Sequence, residues 1–366
     1  MSADYSSILL TAPAVFAAED TYQIMVPVRS ECLMWVQVGD QCYYDDINGI
    51  FRSLNTVHRA VMPMAELDAA KAYTVHIRPV IKRSSWCSQT ADVVSFSFAF
   101  DPVPADGARA YCISDAHEKI EEPIRAAEAF GHFDFLILNG DLANCYDDPC
   151  RMMNIYHICD RLTAGRKPVI YSRGNHDVRG SHSECAEALT PLCNGRTYCT
   201  FRFGSLWGLV LDCGEDKRDD HIECGNVFCF RQFREKETAY LRQLVTRSHK
   251  EYAAEGITHR IVIVHYPFSC KMWADYELEE DIYREWCALL KDVQPQVIVC
   301  GHMHRTDVWM PGGERDTFGQ PCPMVLSGVP KEGYYAGCGY QFDKEAIRAT
   351  HTDSNGQQLR QTEILI

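Results

Sequence analysis

Val297-Ile-Val-Cys-Gly-His-Met-His304 is a short apolar run that reads as a buried strand, closed by a glycine and two histidines one residue apart. Four earlier segments share this build. Tyr111–Ser114 leads into Asp115-Ala-His117, Phe135–Asn139 into Gly140-Asp141, and Ile261–Val264 into His265. Val169–Ser172 leads through Arg173 into Gly174-Asn175-His176-Asp177. A lone Gly-His-x-His is a weak signal: with 23 Gly and 14 His in 366 residues, chance supplies one at roughly 3%. The ordered conjunction of five motifs, each ending a predicted strand, carries the reading. In open α/β folds ligands sit beyond the carboxyl ends of the strands, so these scattered residues are expected to converge.

The converging side chains are carboxylates, an asparagine and imidazoles, enough to hold two metal ions side by side. Hard oxygen donors mixed with imidazole, without thiolate, suit Mn, Fe or Zn; a structural zinc site would show four ligands with cysteine prominent. Single residues also have plainer readings. A lone histidine after a strand is commonly a satisfied, half-buried residue. Asp141 could cap the following helix, Asp177 could be a turn carboxylate, and Asp147 and Asp148 read as a solvated turn before Pro149.

The five motifs together resemble the calcineurin-like metallophosphoesterase superfamily, over Ala108 to Ile366. The resemblance implies an α/β domain with a two-sheet β-sandwich core flanked by helices. It implies one metal held by Asp115, His117 and His304, a second held by Asn175, His265 and His302, and Asp141 bridging both. Two divalent or trivalent cations about 3.5–4 Å apart can bind a bridging hydroxide, lower its pKa and neutralise phosphoryl oxygens during in-line displacement. His176 is expected beside the metals as general acid or phosphate binder, with Asp177 accepting from its other ring nitrogen to fix the tautomer. Asn175, His176 and Arg179 are the expected substrate contacts. For Arg173 and Arg179, a guanidinium fork on phosphate and a structural salt bridge both remain open. Purple acid phosphatases use a tyrosine three residues after the Gly-Asp aspartate and lack a histidine in the first motif. Here that position is Asn144 and Tyr146 sits at the wrong offset, so an Fe–tyrosinate site is not expected.

The expected activity is hydrolysis of a small phosphomonoester or phosphodiester. A catalytically silent interaction module of the same fold is the competing class, opposed by retention of every ligand. A DNA-repair-type nuclease shares the motifs, but the net charge of −14 and the absence of a Lys/Arg cluster oppose nucleic-acid binding, which draws its affinity from phosphate neutralisation. No stretch approaches the ~20 apolar residues of a membrane span. The 18 cysteines are scattered without a Cys-x-x-Cys pair, and the start of the chain lacks a basic lead-in, so a reducing, cytoplasmic setting is expected.

Length favours two domains. Residues 1–104 read as an all-β, immunoglobulin/fibronectin-like sandwich and 108–366 as the catalytic domain, joined by the Pro- and Gly-containing Asp101–Gly107. Val94, Phe96, Phe98 and Phe100 alternate with smaller residues, and Tyr73, Val75 and Ile77 with polar ones, a period of two. Trp35 is expected in the core, and Leu67, six residues before Tyr73, resembles the spacing of a tyrosine corner. Helices are expected at Glu121–Phe130, Arg231–Val245 and Ile282–Leu290, and late strands at Met324–Ser327, Ile347–Thr350 and Gln361–Leu365. Tyr266, Phe268 and Trp273, following His265, are expected to wall the substrate site, and the acidic run Glu277–Asp281 to open a solvated helix.

Overall fold

The computed structural model describes residues 5–46, 54–271 and 279–366. The chain divides into two compact units, one of Met1–Val103 with Ile155–Ile170 and one of Pro104–Asn154 with Tyr171–Ile366.

The first unit is built from two sheets. In one, Thr21–Pro27 pairs antiparallel with both Ala14–Ala18 and Val57–Pro63, and Ala14–Ala18 runs parallel to the start of Pro168–Ser172, Val15 facing Pro168. In the other, Ala72–Arg83 pairs antiparallel with Cys32–Val38, Ser88–Thr90 and Val94–Ala99, and Gln41–Tyr44 completes it beside Cys32–Val38. The period-two pattern buries Tyr73, Val75, Ile77, Phe96 and Phe98 but leaves Val94, at the start of its strand, exposed, and the rings of Tyr73 and Phe98 stack 5.3 Å apart in facing register.

Two expectations fail here for the same geometric reason. Trp35 is on the outer face, because burial of Cys32, Met34, Val36 and Val38 turns the odd-numbered residues of that strand outward. There it stacks on His76 at 5.1 Å and Tyr44 at 6.1 Å. Tyr73 points inward, and its fully buried hydroxyl donates to Gly165 O at 2.8 Å rather than to the chain near Leu67. Most buried phenols are hydrogen-bonded, and here the 155–170 segment supplies the acceptor.

The second unit carries the five motifs. One sheet runs Gln358–Leu365, Ala346–Asp353, Ala336–Phe342, Arg109–Ile113, Phe135–Asn139, the last two parallel. The other runs Cys199–Phe203, Leu206–Val210, His259–Ile263, Val297–Cys300, Met324–Leu326, Asp307–Trp309, with a parallel centre. The central strands are buried throughout, which is why they read as unbroken apolar runs. Phe135, Phe201, Phe203 and Phe342 form an aromatic cluster that joins the two sheets, Phe135 and Phe203 at 5.1 Å. Helix Glu121–Phe130 lays Phe130 on Tyr111 and against Gly339. Helices Phe230–Thr246 and Glu280–Val293 meet through the Trp286 indole N–H, which donates to Thr238 Oγ1 at 2.8 Å, and both pack on the apolar face of the second sheet. This is the expected two-sheet α/β core flanked by helices.

Candidate metal centre

Each motif follows a strand that ends at Ile113, Asn139, Ser172, Ile263 or Cys300, so the loops leave from the same ends of parallel strands. The backbone is bent to bring them in. Asp115, His117, Asp141, His302 and His304 all have φ between +44° and +66°, a left-handed conformation that non-glycine residues adopt only where the surroundings impose it, commonly at functional sites. The motif glycines permit the approach. A Cβ on Gly174 would land on Asp141 Oδ1, and one on Gly301 would land on Ser114 Oγ.

The donor atoms gather into overlapping groups. Asp115, His117 and His304 form one; Asp141, His265 and His302 form another; His117, Asp141 and His176 link them. His117 Nε2 lies 3.0 Å from His304 Nε2, and His304 Nε2 lies 3.3 Å from Asp115 Oδ1. His265 Nε2 lies 3.1 Å from Asp141 Oδ2 and 3.8 Å from Asp115 Oδ1. Asn175 brings an amide atom 3.0 Å from His302 Nδ1. Turned over, that amide donates to His302 Nδ1 and, at 3.2 Å, to Asp141 Oδ2, and accepts from Arg179 Nη2 at 3.1 Å.

Lone-pair atoms at such distances need a proton or a cation between them, and the site's electrostatics say the same. Burial alone would discharge His265, but Asp141 and Asp115 push it up to about 10. His304 is raised by its bond to Asp115, against its own burial. Burial would raise Asp141, yet His265, His176 and His117 hold it below the usual carboxylate range. Buried carboxylates that draw positive charge onto imidazoles fit a cation centre of mixed oxygen and nitrogen ligands.

The far ring nitrogens are engaged, which fixes which atom faces inward. His265 Nδ1 donates to Asn139 O at 2.7 Å. His117 Nδ1 donates to Asn144 Oδ1 at 3.0 Å, and His176 Nδ1 to Asn144 O at 2.7 Å. The expected bond from His176 to Asp177 is therefore absent. Asp177 is buried and accepts from Tyr146 Oη at 2.8 Å, from the Gly174 N–H at 2.8 Å and from the Asp141 N–H at 3.1 Å. It ties the Asp141 and Asn175 loops together, and burial with Asp141 nearby raises it to about 6. Asn144, at the position where purple acid phosphatases are expected to carry their tyrosine, holds two of the histidines.

The arginines resolve toward ion pairs. Arg179 forks onto Glu215, Nε to Oε2 at 2.5 Å and Nη2 to Oε1 at 2.7 Å, and Arg173 Nε lies 2.8 Å from Asp212 Oδ2. Arg179 still lines a cleft of about 300 Å³ with Asp141, Asn175, His176, His302 and His304. Asp216 and Lys217 line it too, and the sequence reading passed over them. Asp216 Oδ2 lies 3.1 Å from His302 Nε2, and Lys217 Nζ donates to Asp216 Oδ1 at 2.8 Å. The strand Leu206–Val210 that leads to them ends in no histidine, so only its parallel place beside His259–Ile263 marked it.

The expected aromatic wall is corrected in part. Phe268 is fully buried against Tyr283 and Trp286, so it is core. Tyr266 is buried with its ring 4.8 Å from that of His302, and it is not among the residues that line the cleft. Trp273 and Glu277 lie outside the described residues; Glu280 and Asp281 occupy a helical first turn as expected.

No match is found among curated proteins. Among solved structures, the fold is similar to a purple acid phosphatase from yellow lupin (Lupinus luteus) seeds, 11% identical with a TM-score of 0.61, covering 98% of this chain and 75% of that one. A vacuolar protein sorting 29 structure from Cryptosporidium parvum is 12% identical with a TM-score of 0.35, covering 71% of this chain and 100% of that one. The family model for calcineurin-like phosphoesterases matches residues 108–306. That span contains all five motifs and more than half of the chain, and the protein belongs to the calcineurin-like phosphoesterase family.

Proposed function

We propose that the protein hydrolyses small phosphomonoesters or phosphodiesters with two metal ions, Mn, Fe or Zn, held by Asp115, His117, His304 and by Asn175, His265, His302, with Asp141 shared. The observation that carries this reading is the place of Asp141, a buried carboxylate common to two of the donor groups. Bound ions would supply Lewis acidity and a hydroxide at neutral pH. The chain's own side chains do the rest. Asp115 is locked by the His302 N–H and Ser114 Oγ, so its carboxylate keeps its aim without rearrangement. His176 presents Nε2 toward the site, 4.0 Å from Asp141 Oδ2, while its Nδ1–H is held by the Asn144 carbonyl. That geometry suits proton delivery to a leaving oxygen or a hydrogen bond to phosphate. Arg179 lines the cleft while its Nε and Nη2 hold Glu215, and its remaining N–H groups suit a phosphate oxygen.

Small substrates fit a cleft of about 300 Å³ on a chain whose net charge is −14. The eighteen cysteines, none in a disulfide, support a reducing, cytoplasmic setting, and no helix of the described residues is long and apolar enough to cross a membrane.

The test is initial rates on p-nitrophenyl phosphate and on its bis ester, with chelator-treated and Mn-reloaded protein. Release of p-nitrophenolate that needs the metal is expected from at least one, and the preferred ester assigns monoesterase or diesterase. Metal-loaded protein that cleaves neither would contradict the hydrolase reading.

A further inference from the structure

We propose that Asp216 is a positioning residue for the metal centre: it fixes the tautomer and the aim of His302 from the ring edge opposite Asn175. The inference rests on the reading of the centre as a metal site. His302 is gripped on both sides. Its Nδ1 faces Asn175, and the same Asn175 amide atom is 3.2 Å from Asp141 Oδ2, so Nδ1 is the edge turned toward the shared carboxylate. Its Nε2 is 3.1 Å from Asp216 Oδ2. A proton held on Nε2 leaves Nδ1 with its lone pair directed at the centre, which is the form a ligand must take. His117, His176 and His265 have their far nitrogens held by neutral groups, an amide oxygen or a backbone carbonyl. Only His302, among these four, rests its outer nitrogen on a carboxylate, and a carboxylate partner raises the basicity of the ligating nitrogen.

Asp216 is itself fixed. It is buried, its backbone N–H donates to Glu215 Oε1 at 2.9 Å, and Arg179 forks onto that same Glu215. Lys217 Nζ takes the other oxygen, Oδ1, at 2.8 Å, leaving Oδ2 to the imidazole. Arg234 Nη2 donates to Glu215 O and its Nε to Cys213 O, pinning the backbone that carries the segment. A side chain anchored at so many points, aimed at the outer nitrogen of a candidate ligand, is built to orient it rather than to bind substrate.

The experiment titrates Mn binding by competition with a chromogenic chelator for the wild type, Asp216→Asn and Asp216→Ala. In Asp216→Ala one ion is expected to weaken by about 10–100-fold, the usual loss for a removed outer partner of a ligand, while the other keeps its affinity. Asp216→Asn, whose amide oxygen still accepts from Nε2–H, is expected to recover part of the loss, and it keeps the test standing if the alanine variant does not fold. Wild-type affinities in both Asp216 variants would overturn the proposal. So would an equal loss of both ions in both variants with a matching fall in Tm, which marks a structural role. A wild type that binds no metal would instead remove the reading on which the proposal rests.

Discussion

Residue types announce which atoms gather at the centre, because carboxylates and imidazoles are written in the sequence, and all seven proposed ligands meet in one place. Their partners are less legible. The group holding His176 is a backbone carbonyl, at Asn144, and every residue carries one. Adjacency made Asp177 look like its partner, but the three-residue turn at His176–Val178 directs neighbouring side chains apart, and Asp177 spends its oxygens on two loop N–H groups and two phenols. Arg179 shows the same limit, since a fork that matches phosphate matches Glu215 as well. Replacing His176 by Asn should leave metal content unchanged and lower turnover by about 10²–10⁴, the range for a lost proton-transfer group, read from metal analysis beside steady-state rates. An unaltered rate would remove His176 from the chemistry.

Elements were the most legible scale. The five strand ends fall within one residue of the ends of the apolar runs, and Glu121–Phe130 is helical as read. Long amphipathic helices and buried parallel strands carry dense patterns. Ala336–Phe342 was missed because it is buried on both faces and interrupted by Gly337 and Gly339, which breaks any period. The loops matter as much as the strands, since their left-handed residues hold the donors against strain. In Gly301→Ala the added methyl would strike Ser114 Oγ and come within 2.6 Å of Asp115 Oδ2. Such overpacking costs about 1–3 kcal/mol, and denaturant unfolding should show it together with weakened metal binding, because Asp115 must move. Unchanged stability with unchanged binding would mean that the loop yields elsewhere.

At the scale of the whole molecule, the sequence indicated a β-rich beginning and an α/β remainder, and the family match at 108–306 falls in the remainder. The return of Ile155–Ile170 to the first compact unit was not legible, because it depends on contacts far apart in the chain, such as Ala12 N–H to Asp160 Oδ1 at 3.0 Å and Tyr73 to Gly165. The net charge of −14 gives the molecule no general attraction for anions, so binding of a phosphoester depends on charge concentrated at the centre. That makes the number of ions the decisive quantity. Elemental analysis of purified protein after saturation with Mn and removal of excess is the direct measurement, made on the wild type and on Asp141→Ala. Two ions per chain are expected in the wild type, and at most one, with activity lost, in Asp141→Ala. A wild type that holds no more than one ion, or an Asp141→Ala variant that keeps two ions and full activity, would contradict a centre bridged by Asp141.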